Sequence, residues 1–229
     1  MKNKKKFEIL LKGKTAEIWI YEDIGDTWIG GISAKTFADE LKKVGKVDTI
    51  NLYINSQGGS VMDGLAIYNS LKRNKARKVV EIDGFALSIA AVVAMAGDEI
   101  RMAKNGAMMI HNPWVVTSGT ADELREQADA MDKIGEGLVN TFADRTGLDP
   151  LQISEMMDAE TWLTATEAQE NGFIDEITDE KQMAAWVPEF AMAKFNYNPP
   201  EKFLSVNDKK ENKTQPTNLA EWKRRLKIV

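Results

Sequence analysis

Four short stretches of the chain carry residue types that do chemistry. Ser88 lies in Gly84-Phe85-Ala86-Leu87-Ser88-Ile89-Ala90-Ala91, among small residues, where an apolar strand pattern gives way to an apolar helix pattern. A hydroxyl at a helix start lies beside unpaired backbone N–H groups and the positive end of the helix dipole. That suits a nucleophile whose attack creates an oxyanion one bond away. It equally suits a serine that merely caps the helix. His111 follows the apolar run 107–110 and precedes Asn112-Pro113. An imidazole there faces a cleft or serves as a satisfied structural histidine. Asn55-Ser56-Gln57-Gly58-Gly59-Ser60 joins a strand pattern to a helix pattern. Its two glycines let the backbone present N–H groups inward with no Cβ in the way. An oxyanion hole, a phosphate nest and an ordinary turn all fit; a P-loop does not, because no Gly-Lys-Ser/Thr follows. Asp158 and Glu160, in Asp158-Ala159-Glu160-Thr161-Trp162-Leu163, offer carboxylates that would orient an imidazole or simply be solvated.

Two counts narrow the chemistry. There is no Cys, which excludes cysteine proteases, disulfide scaffolds, thiolate zinc sites and iron–sulfur clusters. There is one His, which excludes every site needing two imidazoles. Any imidazole chemistry therefore falls to His111. The net charge of −5 speaks for solubility and against a nucleic-acid partner. The basic opening 1–6 resembles the start of a signal peptide, but residues 7–12 are too short and too charged for its apolar core. The longest apolar run, 84–97, is well short of the ~20 residues a membrane helix needs. A cytoplasmic protein without membrane contact is expected.

The elements that must position these residues follow from periodicity. Alternation over 16–21 predicts edge strands, and Phe37, Leu41 and Val44 predict a helix over 33–44. A strand over 49–54 precedes a helix capped by Ser60 and running to residue 72. Strands follow over 78–82, 99–102 and 107–110, with a short helix beginning at Ser88. Alternating strands and helices predict an α/β fold with a largely parallel sheet. Thr120 and Glu123 form a capping box opening a long helix to about residue 145, ended by Gly147. Asp149-Pro150 starts another helix, and Thr164 with Glu167 a third. Residues 158–163 read as a short connection. Residues 196–218 read as a polar linker, and 218–229 as a basic amphipathic helix.

Taken in order, the four stretches resemble the ClpP/crotonase superfamily, and within it the Clp protease proteolytic subunit family. The resemblance runs from about residue 48 to 177. It rests on Tyr53-Ile54-Asn55-Ser56-Gln57-Gly58-Gly59-Ser60-Val61, Gly84-Phe85-Ala86-Leu87-Ser88-Ile89-Ala90, Met109-Ile110-His111-Asn112-Pro113, Trp162-Leu163-Thr164-Ala165-Thr166-Glu167-Ala168 and Gly172-Phe173-Ile174-Asp175. It implies a superhelix of ββα units with a projecting strand–helix handle over about 115–146. It also implies a homo-oligomeric ring, usually of seven subunits, enclosing a chamber for peptide hydrolysis, and no cofactor or metal. By the same resemblance Ser88 is the nucleophile and His111 the base. The N–H groups of Gly59 and Ile89 form the oxyanion hole. Gly58, Asn112, Pro113, Trp114 and Val115 line the substrate. Glu160 stands where the family has an aspartate, with Asp158 the runner-up. Gln57 and Leu87 also depart from the pattern, replacing a frequent proline and a smaller residue.

The protease domain is expected over 1–180 and an extension over 181–229. Such extensions resemble those of phage and prophage head maturation proteases, which process capsid and scaffold proteins inside the assembling prohead. The alternatives are a host-type Clp proteolytic subunit working with an AAA+ unfoldase, an acyl-CoA enzyme of the crotonase fold, and a non-enzymatic assembly protein of that fold.

Overall fold

The computed structural model describes residues 9–25 and 31–179. The chain divides into two units, Met1–Ala184 and Ala185–Val229. The expected linker and terminal helix lie in the second unit, outside the described residues.

Helix starts and stops are where local chemistry puts them. Helix α1 (Ala34–Val44) is capped by Ser33, and α2 (Val61–Arg73) by Ser60, each hydroxyl accepting from the backbone N–H three residues on. Helix α4 (Ala121–Thr146) opens with the Thr120–Glu123 capping box and closes at Gly147 in the left-handed conformation. Helix α5 (Pro150–Asp158) starts at capping Asp149, and α6 (Ala165–Glu170) at the Thr164–Glu167 box. The short helix α3 (Ile89–Ala94) is buried throughout.

The strands form an α/β sheet in the order β1 (Ile9–Lys12), β2 (Thr15–Ile20), β3 (Thr49–Ser56), β4 (Arg77–Leu87), β5 (Glu99–Ala103) and β8 (Glu176–Thr178). All neighbours are parallel except the antiparallel pair β1–β2. Along β2, β3 and β4 every second residue is buried. Ile18, Ile20, Ile50, Leu52, Ile54, Val80 and Ile82 form the core with Phe37, Ile67 and Leu71 from α1 and α2.

β4 is the element that matters for the site. It is longer than its apolar pattern suggests and serves two partners. Val79–Ile82 pair with β5, whereas Phe85–Leu87 pair with β6 (Ala107–Ile110), also in parallel. β6 in turn pairs antiparallel with β7 (Thr161–Thr164). The segment expected as a connection is therefore partly a strand. Four residues are too few to show a period on their own; the edge of β6 gives them their partner.

The handle differs from expectation in one half. The first ten residues of α4 are exposed, so this helix stands away from the core over 121–130. Residues 111–120 form no strand among the described residues. An extended segment becomes a strand only against another edge, and none of the described strands pairs with it.

Candidate active site

The fork in β4 brings the chemistry together. Leu87 lies in register with Met109, and the Ser88 N–H donates to the Met109 carbonyl at 2.8 Å. Ser88 and His111 thus leave adjacent parallel strands at the same end. The Ser88 Oγ and the His111 Nε2 are 2.7 Å apart. With the ring proton on Nδ1, Nε2 accepts from the hydroxyl.

Ser88 is not an ordinary cap. Its backbone has φ 58° and ψ −128°, and its side chain makes no capping bond to α3. A left-handed φ is costly for a residue with a Cβ, about 1–3 kcal/mol. Here it turns Oγ from the helix toward the imidazole. Ser88 and Glu160 (φ 49°) are the two non-glycine residues with positive φ among those described.

His111 is partly buried, and burial pushes its imidazole below the usual histidine range. The ring is therefore neutral at neutral pH, the state in which it accepts a proton.

The glycine pair packs directly on the serine turn. Gly58 has φ 92°, and a Cβ there would lie 2.6 Å from the Leu87 carbonyl oxygen and 2.9 Å from the Ser88 Cβ. Gly59 has φ 141°, and a Cβ there would lie 2.2 Å from the Ile24 carbonyl oxygen. Ile24 runs alongside, its N–H donating to Gly58 O and its carbonyl accepting from Ser60 N–H, both at 2.8 Å. The Gly58 N–H is taken by Ser56 Oγ at 3.1 Å. The N–H groups of Gly59 and Ile89 make no hydrogen bond to another described residue.

The two carboxylates sit differently. Asp158 Oδ1 accepts from Asn112 Nδ2 at 2.6 Å, a contact with no signature in the sequence. Glu160 directly precedes β7. The β6–β7 ladder ends at the pair Ile110–Thr161, and His111 and Glu160 are the residues next to that last pair on either strand. Its N–H donates to Met157 O at 3.1 Å, closing the end of α5. Its Oε1 is buried and has no hydrogen-bond partner among the described residues. Asn112, Pro113, Trp114 and Val115 continue from the end of β6 as irregular backbone, and the last two are about half exposed at 49% and 47%.

Among the described residues no cluster of His, Asp and Glu could hold a metal ion, and no helix is long and apolar enough to cross a membrane.

Residues 3–181 match the model of the Clp protease family. The chain is 33% identical over 147 residues to ATP-dependent Clp protease proteolytic subunit 1 of Salinibacter ruber, covering 63% of each chain. It is 34% identical over 168 residues to proteolytic subunit 2 of Tropheryma whipplei, covering 71% of this chain and 91% of the relative. It is 30% identical over 184 residues to proteolytic subunit 1 of Leifsonia xyli, covering 78% and 90%.

Proposed function

Because the chain belongs to the Clp protease family, a family of serine-type endopeptidases, we propose that it hydrolyses peptide bonds through Ser88 and His111. The observation that carries this reading is the 2.7 Å contact between Ser88 Oγ and His111 Nε2 at a strained turn flanked by two unused N–H groups. Ser88 Oγ attacks the scissile carbonyl carbon while His111 Nε2 takes its proton. The carbonyl π electrons move to the oxygen, which the Gly59 and Ile89 N–H groups stabilise. In comparable enzymes such a donor contributes about 3–4 kcal/mol. The tetrahedral intermediate collapses, the C–N bond breaks, and the imidazolium returns the proton to the leaving amine. Water, deprotonated by His111, then releases the acyl group. Glu160 is assigned to orient the imidazole, ahead of Asp158, whose carboxylate is engaged by Asn112. Substrate lies extended against Gly58 and the segment Asn112, Pro113, Trp114 and Val115.

The relatives are named as proteolytic subunits of an ATP-dependent Clp protease, which favours the reading of this chain as such a subunit; in that reading it works in an oligomeric ring with an AAA+ unfoldase. A second reading, processing of capsid and scaffold proteins during phage head maturation, rests on residues 182–229 beyond the family match. The test pairs a fluorogenic peptide with a folded protein substrate. Under the first reading the peptide is cleaved by the chain alone, and the folded protein only with an AAA+ unfoldase and ATP. Cleavage of capsid or scaffold protein without any ATPase supports the second. Peptide cleavage undiminished in Ser88→Ala overturns both.

A further inference from the structure

The middle of α2 carries a glycine that no turn requires. Gly64 has ordinary helical geometry, its N–H donating to Ser60 O at 3.0 Å. Glycine weakens a helix interior relative to alanine, so a packing reason is expected. The reason is Ile89. A Cβ on Gly64 would lie 2.2 Å from Ile89 Cγ1, 3.2 Å from its Cδ1 and 3.3 Å from its Cβ. Ile89 is 2% exposed, so its side chain is enclosed by protein and cannot swing out to solvent. Ile89 is also the residue after Ser88, and its N–H is one of the two unused donors. From the other side Gly58 closes on the same residue: a Cβ there would lie 3.1 Å from Ile89 N. One glycine thus seats the Ile89 side chain and the other bounds its amide.

We propose that Gly64 is a positioning residue for the oxyanion hole. By admitting the Ile89 side chain into α2, it fixes the direction of the Ile89 N–H and the turn that holds Ser88. This inference rests on the serine-peptidase reading above. A methyl group at position 64 pushes Ile89 back by about 1 Å, and a displacement of that size at a reacting centre costs up to about 100-fold in rate.

The test places Gly64→Ala in three backgrounds: wild type, Ile89→Val and Ile89→Ala. Valine keeps the clashing Cγ1; alanine removes both Cγ1 and Cδ1. Titration with a fluorophosphonate counts competent sites, and rates are expressed per titrated site. In the wild-type background Gly64→Ala is expected to lower kcat about 10- to 100-fold, with KM changed less than about threefold. Affinity for a peptide boronate, which forms a tetrahedral adduct on Ser88 Oγ, is expected to fall in step. The same substitution is expected to cost less than about threefold in the Ile89→Ala background and to remain severe with valine. Should Gly64→Ala not fold, Ile89→Ala alone reads the same coupling, and is expected to lower kcat about tenfold with KM little changed. Wild-type kcat per site and wild-type boronate affinity in Gly64→Ala, or in Ile89→Ala, whatever the change in Tm, would give Gly64 a packing role only and overturn the proposal. Absence of any adduct on the wild type overturns the peptidase reading instead.

Discussion

Ser88 and Glu160 share a positive φ; Ser88 contacts the one histidine directly, and Glu160 adjoins the last pair of the β6–β7 ladder, whose other strand leads into His111. Strain of this kind persists where surrounding structure holds it. Ser88→Gly should therefore be more stable than Ser88→Ala by about 1 kcal/mol, although both lack the nucleophile. Equal denaturation midpoints would show that the turn is unstrained. Glu160→Gln should lower kcat by about 100-fold or more with KM little changed, as loss of an orienting carboxylate does in comparable triads. Wild-type activity in Glu160→Gln with loss in Asp158→Asn would pass that role to Asp158. His111 sets the pH dependence. Burial holds its imidazole below the usual value of about 6.5. The acid limb of kcat/KM should then lie below pH 6.5, since activity needs the neutral ring. Stability follows the same sign. Between the folded and unfolded values the unfolded chain binds more protons, so stability falls as pH drops through that window. An acid limb at or above pH 6.5 would contradict the burial of His111.

At the scale of elements, the site is a consequence of one forked strand. β4 leaves β5 after Ile82 and joins β6 at Phe85, which delivers Ser88 beside the strand that ends in His111. The glycine turn after β3 then closes on the serine turn. Gly59→Ala would drive a methyl group to 2.2 Å from the Ile24 carbonyl oxygen, a backbone atom without freedom to retreat. It should lower stability and abolish hydrolysis together, as measured by denaturation and a peptide assay. Much of this was legible in the sequence because it depends on local chemistry. Ser60, Thr120, Asp149 and Thr164 each cap the helix they announce. What escaped depends on partners. β7 and β8 have four and three residues, too few for a period. The strained φ of Ser88 is a backbone property that residue types do not encode, so a capping serine and a nucleophile look alike in the sequence. The Asn112–Asp158 bond joins residues 46 apart, a separation that no local pattern spans. Gly64 did leave a signal, a glycine inside a helix pattern, which marks a close approach.

At the scale of the molecule, Ile24 to Glu160 hold every residue of the proposed site, inside the region matched by the Clp protease family. Deleting residues 182–229 should therefore leave Ser88 reactivity intact; loss of reactivity would assign the extension a part in the site. Next to the substrate segment, Val116 and Leu124 are apolar and exposed, at the foot of a helix whose first ten residues stand clear of the core. Such a surface suits the subunit contacts of the ring proposed above. Each role proposed for these residues requires that Ser88 be an activated nucleophile. Intact mass after exposure to a fluorophosphonate, with Ser88→Ala beside the wild type, tests that most directly. One adduct on the wild type and none on the variant is the expected result. No adduct on either, or equal adducts on both, would contradict the account.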